Sequence, residues 1–273
     1  RAVGWVQSGW AVGYAGAAML SALLLPTLGW RPLFLAGALP ALLAVWVRLR
    51  VAEPTLYQQQ VPAVPLALVH RLATLWRDAV LRRRAIVAST MATCLLCAYW
   101  GLFTWIPSYL ATPVAQGGAG MGSVRSLSFM LPMQAGAFVG YVSFGTLSDR
   151  LGRRPVFVAY VGAAALLVPL LATVVAWPWA LWLLAPWVGL FGHGYFSVFG
   201  ALLAELFPTA IRATAQGSCY NVGRAISAAA PAAIGALAGR YGLGAAISTT
   251  AALYVAAALL MLRLPETRGE ELT

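Results

Sequence analysis

Long apolar runs separated by short polar connections dominate this chain. Eight runs stand out, at about 8–28, 32–47, 85–110, 126–146, 156–176, 179–204, 214–238 and 244–262. A helix needs roughly 20 mostly apolar residues to cross about 30 Å of hydrocarbon, so these runs predict eight spanning helices. The second is short, but Trp30 and Trp46 bracket it in the manner of interfacial anchors. Between the second and third runs lies a longer polar segment, 48–84. From Pro65 to Arg84 it is amphipathic, with Leu68, Leu72 and Trp76 at helical spacing beside Arg71 and Arg77, which predicts an interfacial helix with His70 in solvent. The pattern divides the chain into 1–47, 48–84 and 85–273 and makes it an all-α membrane protein.

Composition agrees with that class. The chain is 61% hydrophobic and 9% charged, with a mean hydropathy of +0.80. A net charge of +11 could point to nucleic acid, but the placement of charge argues against that partner. All 18 basic residues are arginine. Only Arg31, Arg125 and Arg240 fall in alternate connections, Arg224 lies inside a span, and the other 14 share the remaining segments. That bias puts both ends of the chain in the cytoplasm. Arginine-only basicity and abundant alanine fit a bacterial inner membrane. Cys94, Cys97 and Cys219 all sit in apolar runs and read as small core residues, not as metal or redox ligands. No phosphate loop, paired catalytic carboxylates or metal cluster is present in the pattern, so no cofactor and no enzymatic or ATP-driven activity is expected. The first residue is arginine and nothing resembles a removable signal peptide, so further chain is expected upstream.

The first two runs resemble the last two. "VGYA" at 12–15 matches "VGRA" at 222–225, and a glycine expected to lie in a loop follows 16 residues after each motif glycine, Gly29 and Gly239. Exits "RLRVAEPT" and "RLPETRGEE" close the two copies. A parallel repeat of this kind relates the halves of some transporters. If the second copy has six helices, four spans belong before the first.

The stretch "GTLSDRLGRRPVF" packs one acid and three arginines between the fourth and fifth runs. Gly145 allows close helix approach there, and Asp149 is expected to accept from free N–H groups at a helix start, where the dipole favours an anion. Gly145, Leu147, Asp149, Arg150, Gly152, Arg153 and Arg154 fill the pattern G-x-L-x-D-R-x-G-R-R. This resembles the signature loop of the major facilitator superfamily of secondary transporters. "AELFPTAIRATAQG", with Glu205, Phe207, Pro208, Arg212 and Gly217, is similar to the connection between the tenth and eleventh helices of proton-coupled permeases in that family. "LPETRG" at 264–269 is similar to the sugar-porter exit, and "YWGLFTWIPSYL" at 99–110 to the seventh helix of organic acid symporters. The resemblance implies the last two helices of a first six-helix half followed by a complete second half. It also implies that Gly145, Asp149, Arg150, Gly152, Arg153, Arg154, Glu205 and Arg212 belong to a gate, with Asp149, Arg153 and Glu205 as the latch.

Ionisable groups deep in a span are functional suspects by default. Arg224 is about 10 residues into the seventh run, roughly 15 Å deep. It can hold a carboxylate, or it can bond helix-end carbonyls or an acid from elsewhere. His193 is about as deep in the sixth run; it can couple a proton, or it can be a neutral ring bonded to a backbone carbonyl on a glycine-lined face. Tyr99, Trp100, Thr104, Gln134, Tyr220 and Asn221 are lesser candidates within spans. Pro107, Pro132, Pro169 and Pro186 are expected to kink them. The resulting expectation is a monomeric, proton-coupled symporter for a small organic acid, with protons and the lipid bilayer as its other partners. The alternatives are a drug or metabolite exporter of the same fold and a scaffold or sensor that moves nothing.

Overall fold

The computed structural model describes residues 2–51, 68–121, 123–174 and 177–269. Among these, helices are α1 (Ala2–Leu28), α2 (Trp30–Ala36), α3 (Leu39–Arg50), α4 (Leu68–Arg77), α5 (Ala79–Phe103), α6 (Ile106–Ala111), α7 (Ser123–Leu151), α8 (Arg153–Thr173), α9 (Pro178–Gly194), α10 (Phe199–Glu205), α11 (Arg212–Ser227), α12 (Ala230–Tyr241), α13 (Leu243–Ser248) and α14 (Thr250–Met261). Seven helices, counted across short breaks, are long and apolar enough to cross a membrane: Ala2–Leu28, Trp30–Arg50, Ala79–Ala111, Arg153–Thr173, Trp179–Glu205, Arg212–Tyr241 and Leu243–Met261. The fourth expected span falls on α7, which is not among the seven. Its 29 residues would reach about 43 Å at 1.5 Å per residue, enough to cross. Gln134 and its glycines and serines lower its hydropathy, and the structure buries Gln134, Gly136, Gly140, Gly145 and Ser148 against the rest of the chain.

Several expectations change at the level of breaks. The second span is two helices, α2 and α3, meeting at Gly37, and none of it is buried within the chain. The single amphipathic helix expected up to Arg84 stops at Arg77. Asp78 accepts from the N–H groups of Val80 and Leu81, both at 2.8 Å, and so starts α5 there. Pro107 does not kink a continuous helix; it sits in the first turn of α6, where its missing N–H costs nothing. Pro132, Pro169 and Pro186 do lie inside continuous helices. In the repeat, Gly29 breaks the chain at φ 74°, but Gly239 is helical within α12, and the turn is made by Gly242 at φ 81°.

The core forms where α5, α7, α8, α9, α11 and α14 pack together, with α1 laid along α7. The pairing of α7 with α9 is closest. A Cβ at Gly136 would overlap the Pro186 carbonyl, one at Gly140 that of Leu190, and one at Gly189 that of Met133. No side chain larger than hydrogen fits at these crossings, and that close approach is the usual currency of helix association in lipid. Gly4 of α1 meets Gly145 of α7 in the same way: a Cβ on Gly4 would lie 2.8 Å from the Tyr141 carbonyl. Gly223 seats α11 on the Ala92–Thr93 backbone of α5.

Candidate functional site

Two groups of residues concentrate the chemistry. The first is a pair of adjoining cavities between α1, α5, α7, α9 and α11. One, of about 170 Å³, is lined by Trp10, Tyr14, Tyr99, Trp100, Phe103, Thr104, Pro107, Met130, Gln134 and His193. The other, of about 120 Å³, is lined by Gln7, Trp10, Leu96, Tyr99, Trp100, Tyr141, Phe196 and Tyr220. Trp10, Tyr99 and Trp100 form the shared wall. Tyr99 sets the geometry: its ring meets Trp100, His193 and Phe196 edge-on at 5.4, 5.2 and 5.1 Å. Edge-to-face pairs of this kind contribute about 0.5–1.5 kcal/mol each beyond burial and hold the rings in fixed orientations.

Polar groups in this aromatic enclosure are few. His193 is 2% exposed. Its Nδ1 lies 3.2 Å from the Gly189 carbonyl, one turn back on α9. A carbonyl only accepts, so Nδ1 carries the proton in this bond. Gln134, also 2% exposed, has its Oε1 buried with no hydrogen-bond partner among the described residues. An orphaned buried acceptor costs about 1–3 kcal/mol, so its retention calls for an explanation.

The structure brings Tyr99, Trp100, Thr104, Gln134 and His193 together in one cavity and places Tyr220 in the neighbouring one. Arg224 and Asn221 line neither. Asn221 is exposed, and its amide donates to the Gly217 carbonyl of its own helix at 2.8 Å. Arg224 is exposed, with no ion pair among the described residues, one helical turn from Tyr220 on the same face. Residues missed in the sequence are Gln7, Trp10 and Tyr14 of α1, whose i, i+3, i+7 spacing puts a polar and aromatic stripe on one face and was the available signal.

The second group lies at the signature-loop end. Arg153 is its hub. Its guanidinium bonds Asp149 Oδ1 at 2.7 Å, Ser148 Oγ at 3.1 Å, and both oxygens of Glu205, at 3.1 and 3.3 Å. Thr267 donates to the same Glu205 carboxylate. So Asp149, Arg153 and Glu205 form one network, tying the end of α7 and the start of α8 to α10 and the exit segment. Arg212 joins the region through its Nε to the Ala204 and Phe207 carbonyls, at 3.0 and 3.2 Å, and Arg154 donates to the Leu262 carbonyl at 2.7 Å. Arg150 is exposed at the end of α7.

Asp149 lies near the C-terminal end of α7, and its carboxylate accepts from Arg153. The free N–H groups at the start of α8 are bonded by Glu266, which accepts from Arg153 N at 2.8 Å and Arg154 N at 2.9 Å. Gly152 makes this possible, at φ 108°, with Glu266 so near that a Cβ would lie 2.9 Å from its Oε2. Burial opposes the Glu266 charge, but N–H donors from Arg154, Arg153, Arg268 and Thr267 outweigh it and hold the carboxyl below the usual glutamate range. Among the described residues, no group of three or more His, Cys, Asp or Glu is placed to hold a metal.

Comparison with known proteins gives this geometry a context. A sequence profile described as Major Facilitator Superfamily matches residues 1–187. Two similar proteins carry provisional names: a metabolite transport protein of Haemophilus influenzae, 31% identical over 100% of this chain and 67% of its own length, and a 4-methylmuconolactone transporter of Cupriavidus pinatubonensis, 31% identical over 98% and 62%. A third is the cis,cis-muconate transport protein of Acinetobacter baylyi, 35% identical over 89% of this chain and 59% of its own. The chain therefore spans between 59% and 67% of the length of these relatives.

Proposed function

Since this chain belongs to the major facilitator superfamily, we propose that it works as a secondary active transporter, carrying a small organic acid together with a proton by alternating access. The observation that carries this reading is Gln134 Oε1, buried with no hydrogen-bond partner among the described residues, in an aromatic-walled cavity that His193 also lines. The walls suit a flat, unsaturated skeleton, which can stack on or edge against Tyr99, Trp100 and Trp10. Two of the similar proteins are named for ligands of that shape, muconate and methylmuconolactone.

Each polar group then has a task. Gln134 Oε1 accepts a hydrogen bond from a donor on the substrate, which removes the penalty of its burial. His193 Nε2 is the basic atom at the cavity. Once protonated there, the ring becomes a donor for the substrate's carboxylate while Nδ1–H keeps its bond to Gly189. Arg224, a turn from Tyr220, is the fixed cation that draws an anion toward the cavity. Among the described residues neither cavity is lined by an acid, which disfavours an exporter of organic cations.

At the other site, the Asp149–Arg153–Glu205 network is the latch of the gate, with Gly145, Arg150, Gly152, Arg154 and Arg212 shaping the same end. Residues 1–47 act as the end of one half, 48–84 as the cytoplasmic connection, and 85–273 as the second half. The protein sits in a bacterial inner membrane as a monomer with both ends cytoplasmic.

The test is flux in proteoliposomes with an external pH electrode and a panel of carboxylates. One acid should produce alkalinisation that is lost in Arg224→Ala and kept in Arg31→Ala. His193→Gln should still bind that acid but no longer move protons with it. Saturable efflux of a cationic dye without any acid-driven pH change would replace this reading with the exporter, and silence in both assays with the scaffold.

A further inference from the structure

A third cavity lies outside both groups, at the signature-loop end. It is a groove open to the surface, of about 310 Å³, between the first turns of α5 (Val80, Arg83, Arg84, Val87) and the segment after α14 (Arg263, Leu264, Pro265). Three arginines converge on it from two elements. Arg84 is anchored, donating to the Leu206 carbonyl at 3.0 Å. Arg83 and Arg263 are exposed and have no partner among the described residues.

Among the described residues no carboxylate lines the cavity, and two acids close to its lining in sequence are engaged elsewhere. Asp78 is spent on the start of α5 and Glu266 on the start of α8. Like charges gathered around one small volume repel one another unless an anion sits between them. Val80, Val87 and Leu264 give the same cavity an apolar flank. Both elements belong to spanning helices at their point of exit, so the cavity stands at the boundary between hydrocarbon and water.

We infer that this cavity is a binding site for a phosphate group, held by the forked donors of Arg83 and Arg263 with Arg84 as the fixed third cation. Guanidinium forks match phosphate oxygens, and basic pockets between helices on the cytoplasmic side take lipid headgroups. The shared chemistry is a phosphate mono- or diester. Its two sources are a phospholipid headgroup, whose chains would run along Val80, Val87 and Leu264, and a soluble phosphate. The inference rests on the membrane fold and not on the transport reading.

The experiment uses the purified protein in detergent, with native mass spectrometry after titration with phosphatidylglycerol or phosphatidylcholine, and calorimetry with inorganic phosphate. The variants are Arg83→Gln/Arg263→Gln, the charge-keeping Arg83→Lys/Arg263→Lys, and the distant control Arg31→Gln. Arg84 is left intact because it supports the Leu206 carbonyl. The wild type should hold phosphatidylglycerol about tenfold more tightly than phosphatidylcholine, a preference lost in the glutamine pair, partly kept in the lysine pair and untouched by Arg31→Gln. Inorganic phosphate binding that depends on Arg83 and Arg263, without a lipid preference that does, would support the phosphate site and assign it to a soluble source. Equal lipid preference and equal phosphate binding in the wild type and the glutamine pair would overturn the proposal, provided that circular dichroism shows both folded.

Discussion

Gln134 and Glu266 show how single atoms divide stability from function. The buried Gln134 carbonyl has no hydrogen-bond partner among the described residues, so Gln134→Leu should raise thermal stability in detergent, by up to about 1–3 kcal/mol. The same change should raise the KM for a donor-bearing substrate, because the substrate loses its acceptor; an unchanged KM would remove Gln134 from the proposed site. Glu266 works through its charge. Its folded pKa lies below the ordinary glutamate value of 4.5. A depressed value contributes stability that is present above the unfolded pKa and is lost as pH falls through the folded one. Glu266→Gln should therefore be less stable than wild type near pH 7 and should converge with it near pH 3 in thermal melts. Gly152→Ala attacks the same contact from the other side. It forces φ 108° on a residue with a Cβ and presses that carbon on the carboxylate, so the loss should be about 1–3 kcal/mol. Glu266 was visible in the sequence as part of "LPETRG", but its partner was not, because the contact joins positions 112 and 113 residues apart.

At the scale of elements, hydropathy located the spans because each must satisfy its own backbone in lipid, and that demand is written locally. The breaks within spans were harder to read. Pro107 and Pro231 each open a new helix, but Pro132, Pro169 and Pro186 ride inside continuous ones; proline alone does not separate the two cases. The neighbouring chain decides, by satisfying the freed groups. Glycine was similarly ambiguous. Gly239 and Gly242 look alike in sequence, but the helix runs on through Gly239 and ends at Gly242, whose φ is 81°. The α7–α9 seam is the element-scale prediction. Gly189→Val would drive its side chain into the Met133 carbonyl, so it should abolish the monodisperse peak of folded protein on size exclusion, whereas Gly9→Val, which faces open space, should be tolerated.

For the whole molecule, the charged end reads as one unit. Arg153 and Glu205 are 15% and 16% exposed, so their fork is shielded from solvent; loss of Arg153 leaves the Glu205 carboxylate with the Thr267 hydroxyl, whereas loss of Glu205 leaves Arg153 paired with Asp149. If this network latches the gate, Glu205→Gln should favour the cytoplasm-open state. A cysteine placed at Ser148, fully buried beneath Arg153, would report it: a membrane-impermeant thiol reagent should label it faster in the Glu205→Gln background. An unchanged rate would leave the network a structural clamp. Asp149 and Arg153 of this network were legible because one compact motif gathers them, and Glu205 because it belongs to a second motif; Thr267, and Ser148 within the first motif, were not singled out. The cavity was only half legible. His193 and Gln134 stood out as polar atoms in apolar runs, and Arg224 did too, but whether a side chain on α11 lines the cavity depends on helix rotation, which periodicity leaves open.

One bond joins two of the breaks. The indole N–H of Trp105, at the junction of α5 and α6, donates to the carbonyl of Pro231 at 2.9 Å, where α11 gives way to α12. The ring also fills the space beside Gly235. A proline carbonyl at a helix start and a tryptophan at a helix stop are each points at which a rod can bend. Pinned together, they behave like two knees on one tie bar: neither flexes without drawing the other along. Bending of the third span would thus be geared to bending of the seventh, and cutting the bar, as in Trp105→Phe, would let each swing at its own pace.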